Sequence, residues 1–445
     1  MWWRCRNPGR SGGSVLSSTL VPVNTLRPLP PGRAYRFHTM VKPAGALCNL
    51  DCTYCFYLHK TGLLGHRPNA RMDEATLAQH IRQYIEANTG EEVVFSWQGG
   101  EPTVMGLAFF ERVVALQAEY RKRGQRIEND LQTNGILLDE QWVRFLQRNR
   151  FMVGLSIDGP RALHDRYRVT RGGAPTFDRV MRAARMLSDA QVAFAALCVV
   201  NRDVARSPLD VWRFLSRETG TWRVQFTPCV EPRCFAETGS ARLKSNAPSL
   251  PGSAPARAGE PDSVVTDWSV DAGDYGAFLC AVWDDWLAQH FGRVHVNVFE
   301  TAVAQSLGMP AQTCVASPVC GKALALEHDG TLYACDHFVY PEYRLGDIGR
   351  VHEGDLAFSQ RQVSFGLAKR DTLPAYCRSC EHLHLCWGEC PKNRLLSTPD
   401  GEAGLNYLCS GLKAFYGRVA RDMPEIRRRL GAPAPHPSSV PGAAS

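Results

Sequence analysis

The chain has 445 residues, of which 44% are hydrophobic and 21% are charged, and this is the composition of a soluble globular protein. Its net charge of +7 is mild and spread along the sequence, so we expect no nucleic acid as a partner. No apolar run approaches the ~20 residues that cross a bilayer, so we expect no membrane partner either. This length allows two or three domains, or one large barrel with an appendage.

Strand-like runs alternate with helical patterns from residue 36 to about residue 230. The predicted strands cover 37–41, 93–97, 127–131, 151–157, 192–200 and 223–226. The predicted helices cover 74–87, with Asp73 as N-cap, then 109–123, 140–147, 177–187 and 209–217. Repeated strand–helix units imply a parallel sheet with right-handed crossovers. The chain is therefore predicted to be α/β, with a partial (β/α)6 barrel over residues 36–234 that is open on one side and reactive at its carboxyl strand ends.

The remaining segments differ in composition. Residues 1–35 hold many Arg, Ser, Gly and Pro, and we interpret them as a disordered leader or as sequence before the true start. Residues 235–270 are rich in Pro, Ser and Gly, which predicts a disordered insertion. Residues 271–313 are predicted as a helical connection, with a helix over 274–291. Residues 314–415 are predicted as a cysteine-rich domain, and residues 416–445 as a C-terminal helix and disordered tail.

Three cysteines, Cys48, Cys52 and Cys55, follow the first predicted strand as C-x3-C-x2-C. Three thiolates can hold three corners of a cubane iron–sulfur cluster and leave its fourth iron open to another molecule. A structural zinc site normally has four protein ligands, so a group of three favours redox chemistry. The sixteen cysteines of the chain need no disulfide role at this length, and we expect a cytoplasmic protein with reduced thiols.

Polar motifs follow the next three predicted strands. They are Gln98-Gly99-Gly100-Glu101-Pro102, Thr133-Asn134-Gly135 and Ser156-Ile157-Asp158-Gly159. Each of them alone is typical of an ordinary turn. Because the carboxyl ends of parallel strands meet at one rim, their recurrence there indicates a ligand site beside the cysteine loop.

A second group of cysteines fills the C-terminal third of the chain. Its eight members make two complete sets of four: Cys314, Cys320, Cys335, Cys377, Cys380, Cys386, Cys390 and Cys409. Thiolates select soft metals, and the run from Cys377 to Cys390 alone suits a zinc knuckle and an iron–sulfur site equally well. His382 and His384 are alternative ligands there, although we interpret them as surface residues.

Together these motifs resemble those of radical S-adenosylmethionine (SAM) enzymes that carry a SPASM extension, and above all the anaerobic sulfatase-maturating enzymes. The likeness rests on both cysteine groups, on the three rim motifs, on His164-Asp165-x2-Arg168 and on Cys335-Asp336. It spans roughly residues 36–415. It implies three 4Fe–4S clusters, of which the first, on Cys48, Cys52 and Cys55, binds SAM.

The resemblance also implies roles for single residues. The first auxiliary cluster would be held by Cys314, Cys320, Cys335 and Cys390, and the second by Cys377, Cys380, Cys386 and Cys409. The positions that match SAM contacts are Tyr54, Gly99, Ser156, Arg168 and Val230. At the position of Val230, the family commonly has a different apolar residue. Asp336 matches the general base that takes a proton from the target side chain. Alternatively, an aspartate beside a metal ligand can simply orient that ligand or close a turn.

The activity that the resemblance implies is oxidation of a Cys or Ser of a sulfatase polypeptide to Cα-formylglycine. A radical derived from SAM would remove a Cβ hydrogen, and a flavodoxin- or ferredoxin-type donor would supply electrons. An alternative within the same chemistry is a maturase that crosslinks a ribosomally made peptide. An alternative from another class is a zinc-stabilised binding module, which the incomplete three-cysteine group disfavours.

Overall fold

The computed structural model describes residues 37–237 and 250–431 of the protein. Its centre is a ten-stranded sheet in the spatial order β10-β9-β8-β1-β2-β3-β4-β5-β6-β7. A separate hairpin pairs β11 with β12. The strands are β1 (His38–Lys42), β2 (Glu92–Trp97), β3 (Arg126–Thr133), β4 (Met152–Ser156), β5 (Phe194–Val200), β6 (Arg223–Pro228), β7 (His295–Val296), β8 (Ala323–Glu327), β9 (Thr331–Tyr333), β10 (Arg344–Asp347), β11 (Leu396–Ser397) and β12 (Ala403–Leu405).

Fifteen α-helices occur in the described residues. They are α1 (Lys60–Leu63), α2 (Glu74–Ala87), α3 (Leu107–Tyr120), α4 (Glu140–Arg148), α5 (Arg161–Tyr167), α6 (Phe177–Asp189), α7 (Arg202–Ala205), α8 (Pro208–Arg217), α9 (Ala272–Asp285), α10 (Asn297–Ser306), α11 (Glu353–Ala357), α12 (Gln360–Asp371), α13 (Ala375–Arg378), α14 (Leu383–Cys386) and α15 (Cys409–Leu430). None of these helices combines the length and apolar character that a membrane crossing requires.

The six predicted strands and the five predicted helices between them are confirmed. Strands β1 to β6 pair in parallel with their neighbours in chain order. The predicted N-cap of α2 is also present, because the Asp73 carboxylate accepts a hydrogen bond from Thr76 N at 2.8 Å. Buried aromatic rings fill the space between sheet and helices; Phe110 lies 5.9 Å from Trp97 and 5.4 Å from Trp142 between ring centroids. Burial of each such side chain stabilises the folded state by about 1.5–3 kcal/mol.

The prediction of six strands with an open side was incomplete. β7 adds in parallel to β6, and β8 adds in parallel to β1, with Lys42 opposite Glu327. β9 and β10 continue from β8 in antiparallel fashion. The cysteine-rich region therefore continues the barrel sheet on the β1 side. Pairing between strands so far apart in sequence leaves no periodic signal, because it is decided by tertiary packing.

Part of the predicted disordered insertion is ordered. Residues 238–249 lie outside the described residues, but residues 250–270 are fixed against the end of β6. Val265 and Val270 are fully buried, and Val270 N donates to Cys229 O at 2.8 Å. The composition concealed this because the buried valines stand among polar residues and show no helical or strand period. The predicted leader, residues 1–35, and residues 432–445 of the tail also lie outside the described residues.

Helix α15 links the C-terminal region to the barrel and runs across the predicted boundary at residue 415. It packs on α9, which corresponds to the first part of the predicted helix 274–291. A π-helical turn continues α9 to His290. At the crossing, a Cβ atom on Gly411 would lie 1.9 Å from Ala272 O, and one on Gly276 would lie 2.5 Å from Gly411 Cα. Only glycine allows the two helices to approach this closely. Their contact fixes the position of Cys409, the first residue of α15.

Candidate functional site

The first cysteine group lies in the loop between β1 and α1. Asp51 N donates to Val169 O at 2.9 Å and Thr53 N to Tyr167 O at 3.1 Å, so the loop is tied to the segment after α5. Burial raises the pKa of Cys48 to about 12, and the charges of Glu101 and of the other two cysteines also favour the thiol. The three thiols disfavour one another's ionisation, which fits a loop that holds one shared metal group. Such a group would supply the positive charge that their ionisation requires.

The glycines after β2 pack directly on this loop. Gly99 has a φ of +129°, and a Cβ atom there would lie 3.0 Å from Gly45 O. A Cβ atom on Gly100 would lie 2.2 Å from Leu47 O. The backbone also joins the two loops, because Gly100 N donates to Gly45 O at 2.8 Å. The double glycine therefore permits a contact that any side chain would prevent.

Glu101 joins the ends of β2 and β3. Its buried carboxylate accepts hydrogen bonds from Thr103 N at 3.0 Å, from Thr133 Oγ1 at 2.7 Å and from Asn134 N at 2.7 Å. The Asn134 amide in turn lies 3.8 Å from Cys48 Sγ. Two of the predicted rim motifs are thus bonded to each other and reach the cysteine loop.

Two predicted SAM contacts share one buried carboxylate. Arg168 binds Asp158 through both oxygens, at 2.9 and 3.2 Å, and the Tyr54 hydroxyl donates to the same group. Val199 N also donates to Asp158 Oδ1 at 2.9 Å. Asp158 is fully buried, and Arg168 is nearly so. This network fixes Tyr54, within the cysteine motif, and Arg168 in one arrangement.

Besides Gly99, described above, two further predicted SAM contacts are Ser156 and Val230. Ser156 ends β4 and is buried, two residues before Asp158. Val230 follows β6 and is fully buried in the main hydrophobic core. Both lie at the carboxyl ends of parallel strands, on the rim that carries the cysteine loop. Their contact with SAM stays a prediction.

Asp336, which is partly buried, forms an ion pair with the buried Lys42, the last residue of β1. Burial by itself raises the pKa of Asp336, but the charges of Lys42 and His337 outweigh this effect and hold the pKa below its usual value. The carboxyl group is therefore ionised and able to accept a proton. Lys42 also lies 4.8 Å from the ring centroid of Tyr57, two residues after Cys55. The predicted base thus faces the cysteine loop.

The ligand sets that the resemblance implies for the eight later cysteines stay a prediction. In the first set, burial and the charges of Cys314, Cys390 and Cys320 raise the pKa of Cys335 well above its ordinary value. The other four line a single small cavity: Cys377, Cys380, Cys386 and Cys409. All eight are unpaired, so both sets fit a thiolate-bound metal group. His382 lines this cavity as well and is half-buried, whereas His384 is exposed, as predicted for a surface residue.

Comparisons with known proteins agree with this arrangement. Residues 44–204 match the Radical SAM superfamily, and residues 314–381 match SPASM, an iron–sulfur cluster-binding domain. A serine-type anaerobic sulfatase-maturating enzyme of Bacteroides thetaiotaomicron is 38% identical over 88% of this chain and 92% of its own length. A cysteine-type enzyme of Clostridium perfringens is 31% identical over 85% of this chain and 94% of its own length. The chain belongs to the anaerobic sulfatase-maturating enzymes.

A solved structure of another sulfatase-maturating enzyme, native anSMEcpe with bound AdoMet and Cp18Cys peptide, has the same fold. Its TM-score is 0.74 at 30% identity, covering 88% of this chain and 99% of that one. SuiB of Streptococcus suis, solved with its precursor peptide SuiA, has a TM-score of 0.56 at 14% identity, covering 84% of this chain and 76% of that one, and shares the fold alone. The predicted family, the barrel with its SPASM domain and the SAM and iron–sulfur cofactors are confirmed.

Two features of this sulfatase-maturating enzyme were missed in the sequence. Lys42 belongs to no sequence motif, because its role depends on Asp336, which lies 294 positions away in the chain. Asp158 stood in a recognised motif, but nothing in its spacing indicated that it binds both Tyr54 and Arg168. For Lys42, the available signal was its place at the end of a buried strand, since a buried lysine needs a partner of opposite charge.

Proposed function

We propose that this chain oxidises a Cys or Ser side chain of a sulfatase polypeptide to Cα-formylglycine. The observation that carries the proposal is the ion pair of Asp336 with the buried Lys42, facing the cysteine loop, where Asp336 directly follows Cys335 of the first auxiliary set. The names of the serine-type and cysteine-type relatives support this substrate class. The predicted ligand assignments of the three cysteine groups are part of the proposal.

Each residue group has a separate task in this reaction. The bound cofactors supply the redox chemistry, namely removal of a Cβ hydrogen atom by a SAM-derived radical and of one further electron. Asp336 accepts the thiol or hydroxyl proton of the target, so that a hydrogen atom, a proton and an electron leave in total. Lys42 keeps Asp336 ionised before this transfer. The product is an aldehyde directly from Ser, and a thioaldehyde that water hydrolyses from Cys.

Arg168 and Tyr54 hold the SAM side of the site in this proposal. Asp158 fixes both side chains, so that neither has to reorganise when SAM binds. We propose a flavodoxin- or ferredoxin-type protein as the electron donor. We also place the enzyme in the cytoplasm, because thiolates that bind iron have to stay reduced.

The test uses the reconstituted enzyme under anaerobic conditions with SAM, a reductant and two peptides that contain Cys-x-Pro-x-Arg or Ser-x-Pro-x-Arg. We expect mass spectrometry to detect formylglycine in at least one peptide, together with 5′-deoxyadenosine. Deoxyadenosine without formylglycine would refute the substrate and leave the radical chemistry intact. A crosslinked peptide of unchanged residue composition would instead support a peptide-crosslinking maturase.

A further inference from the structure

A second cluster of metal-binding side chains lies apart from the cysteines. His66 is in the loop after α1, Glu327 ends β8, and His328 begins the turn to β9. One donor atom from each of these three residues lies within 4.8 Å of the other two. Glu327 and His328 are buried, and His66 is partly buried. Nothing in the proposed reaction uses the two histidines.

The spacing of these groups is that of metal ligands. His66 Nε2 lies 3.4 Å from Asp329 Oδ2, and His328 Nδ1 lies 3.4 Å from Glu327 Oε2. Ligands at 2.0–2.1 Å from a tetrahedral zinc ion are about 3.4 Å apart. Both contacts are longer than a typical hydrogen bond of this kind, which measures about 2.9 Å. His328 therefore has a carboxylate oxygen at the distance that a shared ion would impose, and Asp329 orients the His66 ring.

Neighbouring groups already orient the two carboxylates. The Tyr57 hydroxyl donates to Glu327 Oε1, and Thr331 N donates to Asp329 Oδ1 at 2.9 Å. The second oxygen of each carboxylate is left facing a histidine. Supporting hydrogen bonds of this kind fix ligands before a metal arrives. Gly45 makes room for the cluster, because a Cβ atom there would lie 2.8 Å from His328 Nδ1.

An entry path is also present. A cavity of about 530 Å³ is lined by both histidines and by part of the cysteine loop, including Leu47 and Leu50. Asp51, Arg67 and Arg171 line the same cavity. An ion could reach the cluster from this side and keep a water ligand there.

We propose that His66, Glu327 and His328 bind one divalent zinc-type cation. Two imidazole nitrogens with one carboxylate oxygen and a water molecule suit Zn²⁺. The ion would join residue 66, in the radical SAM region, to residues 327 and 328, in the SPASM region. It would thereby hold the loop after the cysteine motif against the strand that extends the barrel sheet. This role is structural and does not depend on the proposed substrate.

The test adds Zn²⁺ to the reconstituted, iron-loaded enzyme under argon, followed by gel filtration and elemental analysis of zinc and iron. The variants are His66→Gln and His328→Gln. His352→Gln is the matched control, because His352 Nε2 also lies 3.4 Å from a carboxylate oxygen, that of Glu86, but belongs to no larger cluster. We expect one zinc per chain in the wild type and the control. Each cluster variant should bind it at least ~10–100-fold more weakly, the loss that removal of even a supporting group causes.

Thermal unfolding provides the second measurement. Zinc should raise the Tm of the wild type and of the control, and leave that of both cluster variants unchanged, since an ion stabilises only a fold that binds it. Iron content and the Tm without zinc show whether each variant is folded. Zinc uptake that is absent in the wild type, equal in all four proteins, or matched by a loss of iron would overturn the proposal.

Discussion

At the scale of single residues, the ion pair of Asp336 and Lys42 is the feature on which the proposed oxidation depends. We expect Asp336→Asn to lower formylglycine formation by about 100-fold or more, because a positioned base contributes roughly 10²–10⁴-fold. Deoxyadenosine should still form, since the SAM side of the site is unchanged. Measuring both products in one reaction separates the two effects. Undiminished formylglycine would exclude Asp336 as the base.

Asp158 is the second residue with a distinct expected effect. Asp158→Asn removes the charge that holds Arg168 and leaves a buried cation unpaired, so SAM should bind roughly 10–100-fold more weakly. Equilibrium dialysis with labelled SAM measures this. Asp178→Asn is the matched control, because Asp178 pairs with Arg161 at the exposed surface and such pairs contribute only about 0–1 kcal/mol. Equal SAM affinity in the two variants would contradict the assignment.

At the scale of elements, the crossing of α9 and α15 connects the barrel to the second auxiliary cysteine set. Gly411→Ala places a methyl group against Ala272 O, so we expect a loss of about 1–3 kcal/mol in the free energy of unfolding. Gly417→Ala lies in the same helix with its nearest contact at 3.9 Å, and it should be stabilising by about 0.5–1 kcal/mol. Denaturant unfolding compares the two variants. A neutral Gly411→Ala would mean that the helices do not pack this closely.

At the scale of the whole molecule, the metal content tests all three cysteine groups together. We expect about twelve irons and twelve sulfides per chain after anaerobic reconstitution, since each 4Fe–4S cluster holds four. Replacing Cys377 and Cys386 by Ala should lower the count to about eight and leave deoxyadenosine formation in place. About four irons in the wild type would remove both auxiliary assignments, and zinc in their place would favour a structural metal domain.

Local features of this fold could be predicted from the sequence, whereas long-range strand pairings could not. The barrel units and the N-cap at Asp73 were predictable because their signals repeat within a few residues. Strands β8 to β10 and the ordered part of the insertion were not, because short segments that pair with distant strands carry no period of their own. The sheet is therefore wider than the pattern of the first 230 residues indicated.

By itself, the sequence determined the family, the cofactors and the parallel order of the first six strands, because cysteine spacing and hydrophobic alternation are local properties of the chain. The tertiary structure decided the rest. It paired Lys42 with Asp336, gave Asp158 two partners, and brought His66 to Glu327 and His328. These contacts join residues far apart in sequence, and the free energy that fixes them comes from sheet extension and core packing, which no short motif records.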